Sequence, residues 1–532
     1  MKREVDYSIY LVTGRSLLPH GKDYLESLEE SLQGGVTVVQ IREKEADTRE
    51  FIQIARDSKA LCDKYNVPLL VNDRVDVALA VKADGIHIGQ DDMAVAQARK
   101  HLPEGSIIGL TCNTLEHVKA AIRDDVDYVG IGAVYGTKTK PLKSPLIGVR
   151  GVGVMLDALE GTNVKAVGIG GINSRNLLRT LHGTVSSRDR PLDGIAVVSD
   201  IFASPHPLQA AKKLSKIFHA FKDDILSAKP TPTLYDGDVL MSEKVLRAVV
   251  HLMESVRKVN PLIHQITNTV VATQSANVTL ALGASPIMAT EPQEMEDLSR
   301  ICGALLVNIG TMRAENLEGM QKAGFYANTF RKPIVFDPVG IGASTFRKGI
   351  VKELLDTFQA SVIKGNGGEL AVLAGSNEVD SKGVDSVGSG FKDPIAFVKA
   401  LSRKERSVVV LTGPTDYISD GKMVVSIRNG DEILGKITGS GCILGSAIAA
   451  CCATAAAQVS EDAKTTEGRL VSGDMFLGAI AGVVILTVAA ELAVHRDGVK
   501  GPGTFLSGLI DTLWSMDSQD VINLAKITVE QS

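Results

Sequence analysis

The chain has no CxxC spacing, no GxxxxGK[ST] phosphate loop, no fixed-period repeat and no low-complexity tract. The six cysteines (62, 112, 302, 442, 451, 452) are scattered, and the adjacent pair Cys451-Cys452 lacks the spacing of a structural zinc site. A disulfide framework is excluded as the organising principle. With no secretory leader evident at the start, reduced thiols and a cytoplasmic setting are expected. The net charge is only −5, so no broad basic surface is available for nucleic acid or an acidic membrane, and neither is expected as a partner. Any anion site must be local. The uncharged stretch Met475 to Ala490, sixteen residues, is short of the roughly 18–20 residues a bilayer span needs and has no basic flank. It is expected to be a buried helix, and GSGCILGSAIAACCATAAA is expected to pack with it.

What is present is an ordinary globular composition, 44% apolar and 22% charged, over 532 residues. At a prior of about 150 residues per domain, that length requires more than one core. From Ile9 to Asp200 the chain repeats strand-like runs separated by amphipathic stretches. The runs are IYLVTG, VTVVQIRE, PLLVND, GIHIG, IIGLTC, YVGIGAVYG, VKAVGIGG and GIAVVSD. This alternation predicts a (β/α)8 TIM barrel over residues 1–225, with its chemistry at the C-terminal strand ends. A Pro-containing seam, with Pro230 and Pro232 around Thr231, predicts a linker over 226–240. Residues 241–532 carry fewer, more widely spaced strands: ALLVNIG, PIVFDPVG, ASVIKGNGGE, SVVVLTGPTDYISD and KMVVSI. They suit an open, mostly parallel α/β sheet whose ligands lie beyond the strand carboxyl ends.

The predicted barrel ends gather phosphate and metal chemistry. Asp73 and Asp92 sit on neighbouring ends, a hard-oxygen pair suited to Mg²⁺. Arg42, Lys44 and Lys140 are cations able to hold a diphosphate as charge develops on it. Thr137 and Thr139 add hydroxyls, while Gly170, Gly171, Val198 and Ser199 follow the last two strands, where barrels often hold phosphate. Any one of these residues is as readily a turn or cap. Their recurrence on loop after loop is what favours a site.

Taken together, QIREK, VND, HIGQDD, TKTK, VGIGGIN and the eighth-strand serine resemble thiamine phosphate synthase. The resemblance implies displacement of pyrophosphate from hydroxymethylpyrimidine diphosphate by a thiazole phosphate. It places Gln40, Arg42, Lys44, Asn72, Thr111 and Lys140 on the pyrimidine diphosphate, with Arg42 and Lys140 catalytic, and Asp73 and Asp92 on Mg²⁺. Thr137, Thr139, Gly170, Gly171, Val198 and Ser199 fall to the thiazole phosphate. The long segment HGTVSSRDRP before the eighth strand is expected to alter the lip of that last site.

In the second half, KITGSGCILGSA is a glycine-rich turn into an apolar helix, able to cradle an oxyanion. Cys442 falls in its first turn, where a thiol pKa tends to fall. FDPVGIGAS, IKGNGGE and VLTGPTD put Asp337, Lys364, Glu369 and Thr412 at strand ends, a plausible Mg-nucleotide set. With NPLIHQITNTVVATQSAN and LGASPIM, these segments resemble hydroxyethylthiazole kinase, a ribokinase-like family. The resemblance implies that Met288 and Gly439 border the thiazole, Lys364 and Thr412 contact ATP, and Asp337 and Glu369 lie on the metal. Cys442 takes the place of a base. It also implies a homo-oligomer built on a kinase trimer. The two halves fit one another as in the fungal bifunctional thiamine enzymes, since the kinase product is a synthase substrate. Two other readings share these motifs: a sensor or scaffold that has lost catalysis, and a fusion acting on other phosphates.

Overall fold

A computed structural model describes residues 4–137, 144–227, 241–376, 380–382, 385–387, 391–459 and 468–530. The chain divides into two compact units, Met1–Ser227 and Ala228–Ser532.

The first unit is a closed, all-parallel barrel in sequential order. Its strands are β1 (Ile9–Val12), β2 (Val38–Ile41), β3 (Leu69–Asn72), β4 (Gly85–Ile88), β5 (Ile107–Cys112), β6 (Tyr128–Ile131), β7 (Lys165–Ile169) and β8 (Gly194–Val197). Each lies inside one of the runs expected from sequence. The helices between them follow from capping and periodicity. In Thr48–Lys64, the Asp47 carboxylate accepts from the Glu50 N–H, and Phe51, Ala55, Ser58 and Cys62 form the buried face. The outward side chains of the strands pack on such faces in one continuous core. A smaller cluster, including Tyr7, Tyr10, Leu70 and Tyr128, fills the barrel itself.

The second unit is built on one mixed sheet of β9 (Leu262–Ile266), β10 (Ser285–Ile287), β11 (Ala304–Asn308), β12 (Ile334–Asp337) and β13 (Val362–Asn366), continued by later strands. A separate hairpin, β14 (Asp380–Lys382) and β15 (Asp385–Val387), precedes β16 (Val408–Thr412), β17 (Asp416–Ser419), β18 (Val424–Ile427) and β19 (Ile527–Glu530). The order is β10-β9-β11-β12-β13-β16-β17-β18-β19. It is parallel through β16, then antiparallel. The run SVVVLTGPTDYISD is therefore two strands folded back at Gly413-Pro414, where proline removes a ladder donor. The short edge strands β10 and β19 carry too few apolar residues to be seen as runs.

Alternate residues of the central strands face opposite helical layers. Leu306, Val335, Val362 and Val410 join one core, whereas Leu305, Val307, Ile334, Phe336, Ile363 and Val409 join the other. The first core contains the apolar helices Ser440–Ala457 and Met475–Val494, packed along each other and almost wholly buried. A Cβ on Gly482 would lie 2.6 Å from the Ile448 Cα, so the bare backbone at 482 permits this close approach.

Candidate active sites

At the barrel's C-terminal strand ends, β2 delivers Gln40, buried at 4% exposure, and β3 delivers Asn72, buried at 8%. Asp73 follows in the left-handed region at φ 61, a conformation aspartate tolerates better than most residues. Its backbone N–H donates to the His87 carbonyl at 2.9 Å, which fixes the bend. The Lys44 ammonium pairs with the Asp73 carboxylate. Asp92 accepts from the Gly89 N–H at 2.7 Å. Burial, then the neighbouring Asp73 carboxylate, push the Asp92 carboxyl above the usual range. Two carboxylates thus converge with fewer cations than anions, an oxygen-rich setting that fits a divalent metal.

Thr111 closes β5. Its hydroxyl meets His87 Nε2 at 2.9 Å, and its carbonyl accepts from the Gln90 amide at 2.6 Å. Arg42 anchors its backbone N–H on the Thr13 hydroxyl at 3.2 Å. Gly170 and Gly171 have φ 100 and 69. A Cβ on either would strike the loop after β6, at Ala133 and Gly136 respectively, so this glycine pair lets the Thr137 loop lie against the end of β7. Val198 precedes the short helix Ser199–Phe202, whose Asp200 accepts from the Ser174 N–H at 2.8 Å. Thr139 and Lys140 lie outside the described residues.

The segment before β8 does not reach this rim. Arg190 bonds the carbonyls of Leu159 and Val164, and the Ser187 N–H donates to Asp157. Those groups mark the N-terminal side of β7. The expected effect on the thiazole phosphate lip is corrected, because a loop leading into a barrel strand lies at the opposite end from the chemistry.

In the second unit the charged groups are deeply buried. Lys364 Nζ donates to Asp337 Oδ2 at 2.9 Å and to the Gly441 carbonyl at 2.8 Å, with side-chain exposures of 4% and 0% for the ion pair. Burial alone would weaken the Lys364 ammonium, yet Asp337 and Glu369 outweigh it and hold its pKa above the ordinary value. Among the described residues Asp337 Oδ1 is buried with no partner, an open oxygen that a bound cation would satisfy. Glu369 accepts from the Gly340 and Asn366 N–H groups, both at 2.9 Å, and closes a capping box on Gly367–Ala374. Burial, then Asp337, raise its carboxyl to about 7. Thr412 Oγ1 donates to the Gly365 carbonyl at 3.3 Å, and Met288 is half-buried just past β10. Gly439, at φ 83, starts the helix Ser440–Ala457 where a Cβ would lie 2.1 Å from Val271.

Cys442 is buried, and its sulfur accepts from the side-chain amides of Asn268 at 3.2 Å and Asn308 at 3.3 Å. Asn308 also donates to Asp337 Oδ2 at 2.9 Å. The lowered thiol pKa expected from the helix N-terminus is overturned. Burial, then Asp337, push it up. Sequence reasoning missed both asparagines. A signal was there for Asn308, which ends ALLVN as Asn72 ends PLLVN.

Residues 9–201 match the thiamine monophosphate synthase family, and residues 253–519 match the hydroxyethylthiazole kinase family. The chain is 37% identical over 530 residues to a probable thiamine biosynthetic bifunctional enzyme of Schizosaccharomyces pombe, covering 98% of this chain and 97% of that one. It is 37% identical over 548 residues to the thiamine biosynthetic bifunctional enzyme of Saccharomyces cerevisiae, covering 97% and 96%. A hydroxyethylthiazole kinase of Clostridium beijerinckii is 36% identical over 291 residues, 54% of this chain and 99% of its own length. The chain belongs to the bifunctional thiamine biosynthetic enzymes, a thiamine phosphate synthase fused to a hydroxyethylthiazole kinase.

Proposed function

We propose the following division of labour for the two activities. In the barrel, Gln40, Arg42, Lys44, Asn72, Thr111 and Lys140 hold hydroxymethylpyrimidine diphosphate. Thr137, Thr139, Gly170, Gly171, Val198 and Ser199 hold the thiazole phosphate. The bond from the pyrimidine methylene to the diphosphate breaks, and the diphosphate leaves with the electron pair. The thiazole ring nitrogen donates its lone pair to the methylene, giving the thiazolium of thiamine phosphate. No proton moves, so the residues need only to orient the nucleophile and neutralise the leaving group. The convergence of Asp73, Asp92 and Lys44 carries this reading. Asp73 and Asp92 would hold Mg²⁺, which when bound supplies positive charge to diphosphate oxygens.

In the kinase, the glycine-rich turn at Gly439 and Gly441 faces the transferring phosphoryl group, and Lys364 and Thr412 lie on the ATP side. Met288 and Gly439 border the thiazole, and Cys442 orients its hydroxyl. Asp337, with its open oxygen, and Glu369 would hold the nucleotide's Mg²⁺. The domains are placed at 1–225 and 241–532 with a linker at 226–240, supported by the division into two compact units. A cytoplasmic enzyme is proposed, supported by the interior position of both apolar helices. A homo-oligomer through the kinase units is proposed, supported by the exposure of Val270 (62%) and Leu280 (54%). Conversion to a sensor would call for loss of the charged groups, and Arg42, Asp73, Asp92, Asp337 and Glu369 are all retained.

One reconstitution tests the assignment. Hydroxyethylthiazole, ATP, Mg²⁺ and the pyrimidine diphosphate should yield thiamine phosphate. Supplying the thiazole phosphate directly should remove the need for ATP while leaving the need for Mg²⁺. A synthase reaction that survives exhaustive chelation would reject the metal role of Asp73 and Asp92.

A further inference from the structure

Barrel interiors are usually filled by branched aliphatic side chains. This one buries Tyr7, Tyr10 and Tyr128. Two of them form a continuous line of hydrogen bonds across the barrel. Gln40 Nε2 donates to the Tyr10 hydroxyl at 2.7 Å, and the Tyr10 and Tyr128 hydroxyls are 2.6 Å apart. The Tyr128 hydroxyl lies 2.8 Å from His87 Nδ1, and His87 Nε2 lies 2.9 Å from Thr111 Oγ1. The backbone is shaped around the line. Gly109 faces Tyr128 in the β5–β6 register, and a Cβ there would lie 2.0 Å from the tyrosine Cζ. On Gly130 a Cβ would press on His87 Cε1 at 3.2 Å.

Proton counting gives the line a direction. The Gln40 amide supplies the hydrogen for Tyr10, so the Tyr10 proton points to Tyr128. The Tyr128 proton then points to Nδ1. A neutral His87 carries its hydrogen on Nε2 and gives it to Thr111. The Thr111 hydroxyl proton is left for a partner in the site. At the other end, the Gln40 carbonyl oxygen is turned away from Tyr10. Hydrogen bonds aligned this way in a poorly hydrated interior reinforce one another.

We propose that Tyr10, Tyr128 and His87 are positioning residues of the synthase, forming a directional relay that presents the Thr111 hydroxyl as a donor, and the Gln40 carbonyl as an acceptor, to the pyrimidine diphosphate. This rests on the assignment of Gln40 and Thr111 to that substrate. Simple satisfaction of buried hydroxyls explains the inner bonds alone. It does not explain why both ends of the line are residues assigned to the same substrate.

The test uses the full chain, with kinase turnover as an internal control for folded enzyme. Tyr128→Phe keeps the ring and removes one hydroxyl that reaches Thr111 only through His87. It should lower kcat/KM for the pyrimidine diphosphate about tenfold, the order expected for one misdirected hydrogen bond to a charged group. KM for the thiazole phosphate should not move. Tyr10→Phe breaks the same line at its neighbour and should do likewise if Tyr128→Phe folds poorly. Thr111→Val should lose at least as much, and adding Tyr128→Phe to it should lose nothing further. A neutral Thr111→Val would overturn the substrate assignment itself. A harmful Thr111→Val with neutral tyrosine variants, or with losses that multiply in the double variant, would overturn the relay and leave the assignment standing.

Discussion

Each unit places a lysine–aspartate pair at the ends of parallel strands, yet the two pairs live in different media. Lys44 and Asp73 have side-chain exposures of 51% and 19%, whereas Lys364 and Asp337 have 4% and 0%. A solvated pair contributes about 0–1 kcal/mol and exchanges partners readily. Lys44 can therefore leave Asp73 for an arriving diphosphate at little cost. The kinase pair is fixed before substrate arrives, with Asn308 bonded to Asp337 Oδ2 and the Gly441 carbonyl to Lys364 Nζ. The contrast suits the chemistry. The barrel must capture and then release a highly charged leaving group, while the kinase presents preorganised charge to a transferring phosphoryl group.

The comparison breaks most visibly at Lys364. Lys364→Met strands a buried carboxylate, so it should destabilise the C-terminal unit by about 3–5 kcal/mol and abolish thiazole phosphorylation. Synthase turnover should persist, since the barrel has its own core. Calorimetry with both assays would check this. An unmoved C-terminal transition would show that the pair is not the buried electrostatic unit described here.

Asp92→Ala is the counterpart in the solvated site. It should reduce the synthase by about 10²–10³-fold, as expected when a group acting on transition-state charge is removed. The melting transition should move little, and the kinase should be untouched. A folded Asp92→Ala protein that loses both activities equally would show that the two sites are not independent.

The same distinction explains what could be read from sequence. The barrel was legible because each strand is a compact apolar run ending in a polar residue, as in PLLVND, and its charged residues sit in loops where side chains are conspicuous. The antiparallel end of the second sheet was less legible. β19 at Ile527–Glu530 has a half-exposed pattern, and its partner β18 lies about a hundred residues earlier, beyond any local signal. Polar residues inside the barrel were harder still. His87, Tyr10 and Tyr128 look like ordinary strand residues until the barrel closes and their hydroxyls and ring nitrogens meet. Asn268 and Asn308 gain meaning only through Cys442, which follows them by 174 and 134 residues. The sign of the Cys442 shift was lost for the same reason. The helix N-terminus is a local feature visible in sequence, and burial is not.

The smallest effect is expected at Cys442, and it sharpens the contrast between preorganised and titrating groups. With its pKa raised by burial, the thiol is neutral near pH 7, and two asparagine amides hold its sulfur in place. A group so held can orient the thiazole hydroxyl, but it offers little anion to act as a base. The loose transition state of phosphoryl transfer asks little of a base until late. Cys442→Ser preserves a small hydrogen-bonding group at the same point and should keep kinase kcat within about tenfold, whereas loss of an obligatory base costs roughly 10²–10⁴-fold. The pH dependence separates the alternatives further. A thiolate base with a raised pKa requires the wild-type rate to climb roughly tenfold per unit on the alkaline side, a limb that the serine variant would lack. An orienting thiol predicts wild-type and serine profiles of the same shape between about pH 7 and 9. A steep wild-type limb, together with a loss beyond about a thousandfold in Cys442→Ser and intact ATP and thiazole binding, would make Cys442 the base.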